Sequence, residues 1–364
     1  MATDLPRPWL PDWAVPPGEI LVEALAERDM TQAELARRMA RPMKTISEIV
    51  NGHAAITADT AIQLERVLGI SAALWNGLEA EYRGRLARQR AEAELGDYRE
   101  WARQFPLRAL AKLKLIESNE ATEATAQELL AFFAVSSPDG WRQHWGQVAS
   151  SYRLGRAGTV SRPSLTLWLR WAERQADGLE VSSYDREGFL EVLRSSRGLS
   201  RQALFQVATE RLAAAFASAG VALVILPSLP GSPASGASRW YRAHGLITLT
   251  LRYLSDDQFW HSLYHEAGHL LNGRRGRMVL EELEYEHDSQ DEQAADEFAR
   301  DLLIPQTDID AFVASGMIDR RTVRTFASSQ GIAPGIVVGR LQRDDVIAET
   351  QMNDLKQRLE PVRT

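Results

Sequence analysis

From Pro17 to Ala87 the apolar residues return every three or four positions, the repeat that lines one side of a helix, with cap and turn signals between the runs. Five short helices are predicted, over Gly18–Glu27, Thr31–Ala40, Met43–Val50, Ala58–Leu68, and Ala72 to about Leu86. Thr31 and Glu34 have the spacing of a capping box, Thr57 caps the fourth helix, and Asn51-Gly52 ends the third.

The helical repeat continues from Ala91 to about Ser218, broken at "SSPDG" and "GRAGTVSRP", in a Trp-rich stretch with no motif that chemistry alone can read. At Gly220 the texture changes. "GVALVILPSLPG" is rich in β formers, "GSPASGAS" reads as a loop, and "LITLTLR" alternates Ile247, Leu249 and Leu251 with Thr248, Thr250 and Arg252, as a half-buried strand requires. A long helix over Asp256–Leu271 follows, then "RRGRMVLEELEYEHDSQ", then a helix from about Asp291 to Leu303, which Pro305 stops. Two or three further helices close the chain.

With 364 residues, the chain is expected to divide into domains, and the texture suggests three parts: 1–90 with a Pro-rich arm over 1–16, 91–218, and 219–364. Composition narrows the chemistry. With 45% hydrophobic and 25% charged residues and no apolar run long enough for a bilayer, a globular protein is expected, with no membrane partner. The N-terminus lacks a basic start and an apolar stretch, so cytoplasmic residence is expected. The absence of cysteine excludes disulfides, thiol nucleophiles and thiolate metal sites, leaving His and carboxylates to hold any metal. The net charge of −7 argues against general adhesion to nucleic acid and leaves room for a local basic patch.

Such a patch lies in "TQAELARRMARPMKTISEIVNG", two short helices joined by a tight turn. Leu35, Ala36, Met39, Ile46 and Ile49 fall on one side, Lys44, Thr45 and Glu48 on the outer face of the second helix, and Gln32, Arg37, Arg38 and Arg41 beside them. Periodicity alone would favour a small bundle used for protein contact, and the particular strings shift the reading. The strings "TQAELARRM", "KTISEIVNG", "AITADTAIQLERVLG" and "SAALWNGLEAEYR" resemble the Cro/repressor-type helix-turn-helix family and its HigA-type antitoxin subgroup. That resemblance implies a homodimer reading a palindromic double-stranded operator, with the seven polar residues above as its DNA contacts.

The other constellation is "FWHSLYHEAGHLLNG", which holds His261, His265 and His269, three of the seven histidines. His265-Glu266-Ala267-Gly268-His269 is the HExxH pattern, in which four helical residues advance by about 400° and about 6 Å, so both imidazoles lean toward one point. Zinc accepts two neutral imidazoles and a carboxylate and keeps a position open for water, and Glu266 is placed to take that water's proton. "DEQAADEFARDLLIP" offers Glu292 as third ligand, and Asp296 one turn later to accept a ligand histidine's free N–H. The same acids also read as a solvated face, with Asp288, Asp291, Glu297 and Asp301 nearby.

"FWHSLYHEAGHLL" with "EQAADEFARDLLIP" resembles the ImmA/IrrE metallopeptidase family, in likeness extending over about Gly220–Ile347. The resemblance implies a zincin-like fold with zinc, or manganese, on His265, His269 and Glu292. His261 departs from it, since relatives carry an apolar aromatic there. From His261 to His269 the helix turns by about 80° beyond full turns and rises about 12 Å, too far for one metal, so His261 reads as a partly buried neighbour or a substrate-polarising group. His244 and His287 are further candidates for an oxyanion helper or ordinary loop residues. The Leu246–Arg252 strand reads as an edge that could pair with an extended peptide, or as a core strand.

The expected class is α+β, mostly α-helical: a five-helix helix-turn-helix domain, a helical middle region, and a zincin-like domain with a small sheet. Two functions compete. One is a DNA-binding regulator whose zinc endopeptidase cleaves itself or a partner repressor. The other is a HigA-like antitoxin whose metal-binding domain senses a ligand or holds a toxin without proteolysis.

Overall fold

The computed structural model describes residues 15–150, 161–231, 235–250, 255–272 and 289–359. The first 14 residues of the expected arm, Leu251, Arg252 and His287 lie outside these. The chain divides into two compact units, Met1–Arg99 and Glu100–Thr364, so the expected middle region falls partly in each.

The first unit holds α1 (Pro17–Ala26), α2 (Gln32–Arg38), α3 (Met43–Val50), α4 (Ala58–Leu68) and α5 (Ala72–Asp97). Its core gathers Leu21, Leu25, Leu35, Ile46, Leu64 and Trp75, and all five residues expected on the inner side of α2 and α3 are buried. Thr31, Thr57 and Ser71 each accept the backbone N–H three residues on, fixing the starts of α2, α4 and α5. The expected capping box is only half made: the Glu34 carboxylate turns instead to Arg37 and Arg38. The third helix ends at Asn51, and Gly52 takes a φ of +71°. Helix α5 runs to Asp97 rather than Leu86. Its last turns are mostly Ala, Arg, Glu and Leu, strong helix formers without an apolar stripe, which periodicity cannot see.

The second unit carries α6 (Arg99–Ala102) at its boundary, then α7 (Leu107–Lys112), α8 (Glu123–Phe133), α9 (Pro138–Ser150), α10 (Arg162–Ala176), α11 (Arg186–Ser196) and α12 (Phe205–Ser218). Three strands follow, β1 (Val221–Leu226), β2 (Gly236–Tyr241) and β3 (His244–Thr250), and then α13 (Asp256–Asn272), α14 (Ser289–Leu303), α15 (Gln306–Ala314), α16 (Arg320–Gln330) and α17 (Pro334–Arg343). Phe189 and Phe216 from the middle helices join Ile247 and Leu249 of the sheet and Leu263 and Tyr264 of α13 in one core. Helix α10 packs against β1 and β3.

The sheet order is β1-β3-β2, with β1 parallel and β2 antiparallel to β3. This corrects two expectations. Of the two readings of the 246–252 strand the core one holds for its described residues: it is central, paired on both sides with no free edge for a peptide, and Thr248 and Thr250 are buried like Ile247 and Leu249 rather than facing solvent. The edge is β2, whose first residues, Gly236 to Ser238, belong to the stretch read as a Gly/Ser loop. Small residues hid the strand, and pairing with β3 supplies the order that their weak propensity does not. Among the described residues no helix is long and apolar enough to cross a membrane.

Candidate metal centre and DNA-reading helices

Helices α13 and α14 meet at small residues. A Cβ on Gly268 would come within 3.1 Å of the Phe298 ring and 3.2 Å of the Ala295 backbone, and Ala295 and Ala299 are fully buried. That close approach brings α14's carboxylates to α13's imidazoles. His265 Nε2 and His269 Nε2 lie 3.0 Å apart, and the Glu292 oxygens lie 3.4 Å from the first and 3.6 Å from the second. Among the described residues this trio is the group of His and carboxylate donors that could hold an ion.

The donor set fits zinc. Bonds of about 2.0–2.1 Å in tetrahedral geometry hold ligand atoms roughly 3.3 Å apart, close to the 3.0 Å between the two imidazole nitrogens and the 3.4 Å from His265 Nε2 to the nearer Glu292 oxygen, with one ligand atom from each of the three residues within 4.8 Å of the others. Asp296 Oδ1 lies 2.9 Å from His265 Nδ1, which keeps the proton there and turns the Nε2 lone pair toward the trio. Burial disfavours the His265 imidazolium, but the Asp296 hydrogen bond and the charges of Glu266, Asp296 and Glu292 outweigh it and raise the group above its ordinary value. A cation among these carboxylates answers the same field.

Glu266 points away from α14, toward the sheet. A Cβ on Gly236 would come within 2.7 Å of Glu266 Cγ, so only glycine lets β2 lie this close to the helix. The Ser238 hydroxyl donates to the Glu266 carboxylate. Burial pushes that carboxyl up to about 7, against the lowering effect of His265 and Ser238. Sequence reasoning missed Ser238 and Gly236 because it assigned them to a loop; the aromatic pair Trp240-Tyr241 at the end of the segment was the one strand-forming signal in it.

His261 and His244 lie outside the trio. His261 stacks on His265 with ring centroids 6.2 Å apart, and its Nε2 is buried without a hydrogen bond, 3.8 Å from Asp296 Oδ1. Burial lowers its pKa to about 3, so it stays neutral. His244 begins β3, five residues before Leu249, the partner of Gly236, a distance of roughly 16 Å along the strand. That places its ring beyond reach of Glu266, which removes the geometric basis for an oxyanion role.

In the first unit, Lys44 is exposed on α3 with Thr45 and Glu48 half-buried beside it, and Arg37 and Arg38 are exposed on α2. The cations are engaged within the unit: Arg37 and Arg38 by Glu34, Lys44 by Glu48 at 3.6 Å, and Arg41 by Gln63 at 2.7 Å. Gln32 is half-buried at the start of α2.

Comparison with known proteins agrees with this division. A helix-turn-helix family model matches residues 21–75, and the Peptidase M78 model, described as IrrE N-terminal-like domain, matches residues 218–341. The uncharacterized HTH-type transcriptional regulator YddM of Escherichia coli K12 is 38% identical over 63 residues, 17% of this chain and 67% of that protein. Among solved structures, an addiction module antidote protein of the HigA family from Coxiella burnetii is 34% identical, covering 22% of this chain and 90% of its own, with a TM-score of 0.22. The PA4674 protein of Pseudomonas aeruginosa, solved in complex with its operator DNA, is 39% identical, covering 21% of this chain and 82% of its own, with a TM-score of 0.20. The chain therefore belongs to the helix-turn-helix transcriptional regulators, as a DNA-binding regulator fused to an IrrE N-terminal-like domain.

Proposed function

We propose that the IrrE-like domain is a zinc-dependent endopeptidase, which cleaves this chain or a partner protein and so relieves repression at a palindromic operator bound by a homodimer. The observation that carries the reading is the division of labour around α13: three donors converge, and Glu266, outside that trio, is held beside β2, the edge strand of the sheet among the described residues.

When bound, zinc, or manganese in its place, supplies Lewis acidity, polarising a peptide carbonyl and acidifying water. His265, His269 and Glu292 hold the ion, and Asp296 keeps His265 in the ligating tautomer. An extended peptide pairs with β2, whose outer edge is free among the described residues, and main-chain hydrogen bonds align its scissile carbonyl. Glu266 takes a proton from the attacking water as its oxygen bonds to the carbonyl carbon. The same carboxyl then delivers that proton to the departing amine nitrogen as the C–N bond breaks. Burial favours the neutral carboxyl that delivers the proton, and the charge of a bound cation would favour the carboxylate that accepts it.

The test is incubation of zinc-loaded protein with its neighbouring gene products, beside Glu266→Gln. Fragments from wild type and none from the variant support the reading. If both leave every chain intact under inducing conditions, the HigA-like alternative stands, in which the domain binds a ligand or toxin without proteolysis.

A further inference from the structure

Strand β2 faces two ways. Gly236 and Ser238 lie toward Glu266, whereas Arg239 and Tyr241 point to the opposite face, where helix α10 lies. There Arg239 Nη2 meets Glu173 Oε1 at 2.8 Å and the Leu169 carbonyl at 3.4 Å. Glu173 is buried, and its other oxygen receives Arg170 Nη1 at 2.7 Å. One turn on, Asp177 accepts the Tyr241 hydroxyl at 2.7 Å and pairs with Arg242 at 2.8 Å. Arg242 occupies the hairpin corner with a φ of +53°, a conformation that side chains other than glycine's disfavour. The connection before β2 is tied as well, through the Ser161 N–H donating to the Gly231 carbonyl at 3.0 Å.

An edge strand hydrogen-bonded on one side twists and frays unless something holds it. Here the hold comes from a helix in the stretch for which the sequence offered no role. We propose that α10 is the mount of the peptide-receiving edge, with Glu173 and Asp177 as positioning residues that fix β2, and through it Ser238, against Glu266. The inference rests on the peptidase reading for the identity of the ligand, and on the geometry above for the mount. Buried Glu173 sets the depth of the strand and the more exposed Asp177 sets its hairpin end, so neither touches the reacting atoms.

The experiment uses the full chain with zinc and two probes, a tripeptidyl hydroxamate, which spans the edge, and acetohydroxamate, which reaches only the metal. Glu173→Gln and Asp177→Asn are compared with wild type, the second keeping the test open if the first folds poorly. Both variants are expected to bind zinc and acetohydroxamate as wild type does, and to lose about five-fold or more in tripeptidyl hydroxamate affinity. Amide hydrogen exchange should accelerate over residues 236–241 while α13 keeps its protection. A general structural defect lowers both affinities together, and that result, or an unchanged tripeptidyl affinity, overturns the proposal. If wild type binds neither zinc nor hydroxamate, the peptidase reading fails by itself; the exchange measurement then decides the mount, and unchanged exchange over 236–241 in both variants refutes it.

Discussion

At the scale of single residues, charge and burial decide roles that motif spacing leaves open. The three histidines of α13 share a four-residue spacing, yet His261 ends with a buried, unpartnered Nε2 while the other two converge with Glu292. Glu292→Ala should therefore abolish stoichiometric zinc in metal analysis, and His261→Phe should leave it unchanged. The second substitution should also raise the melting temperature, because it removes an unsatisfied polar atom worth about 1–3 kcal/mol when buried. Since burial holds His261 well below its unfolded value, its cost to stability grows as pH falls through about 6.5 toward about 3, and the advantage of phenylalanine should widen over that range. Asp256 has the opposite sign. Burial raises it to about 6, so the folded state holds a proton that the unfolded state releases, and stability declines as pH rises from about 4 to about 6. Asp256→Asn should be neutral at pH 4 and stabilising at pH 8 in thermal melts; an effect independent of pH would contradict this. On α2, Glu34 occupies both Arg37 and Arg38, whose hydrogen bonds hold its carboxyl below the usual range. Freeing them with Glu34→Gln should tighten operator binding by about three- to ten-fold at low salt and less at high salt, as anisotropy titrations can read; weaker binding would show that the arginines do not face the phosphates.

At the scale of elements, small residues at two contacts bring the site's parts together. Gly268 lets α14 reach α13, and Gly236 lets β2 reach Glu266. Gly268→Val should force the helices apart, lower stability by about 1–3 kcal/mol and weaken zinc binding, whereas the same change at exposed Gly77, which has open space around it, should leave zinc binding unaltered. These contacts also mark how far the sequence could be read. Helix boundaries were legible where an apolar stripe met a local start or stop signal, as in Met43–Val50 between Pro42 and Asn51-Gly52 and in Ala58–Leu68 after the Thr57 cap. The HExxH pairing was legible because it is local, two histidines four positions apart on one helix. What stayed hidden depended on pairing across distance: the central place of β3, which β1 and β2 impose from either side, and β2 itself, whose Gly-Ala-Ser start carries no strand propensity. The far end of α5 escaped for another reason, since a solvated helix shows no stripe. Glu34 shows a limit within reach of local reading, because the capping-box spacing was present and two arginines competed successfully for its carboxylate.

At the scale of the whole molecule, one chain carries a unit that reads DNA and a unit built around a peptidase-like centre. In the proposed account the first confines the second to a few operators, and hydrolysis ends repression there. The middle helices share the core of the second unit, so removing residues 100–218 should unfold the IrrE-like domain rather than release it, as loss of cooperative melting would show. The account is tested most directly by following operator occupancy. Protein bound to labelled operator DNA is challenged with zinc and the neighbouring gene products under inducing conditions, and DNA release and chain length are recorded together. Wild type is predicted to leave the DNA as cleaved chains accumulate, while Glu266→Gln stays bound with every chain intact. Release of both proteins at the same rate, or release of wild type without any cleavage, would contradict it.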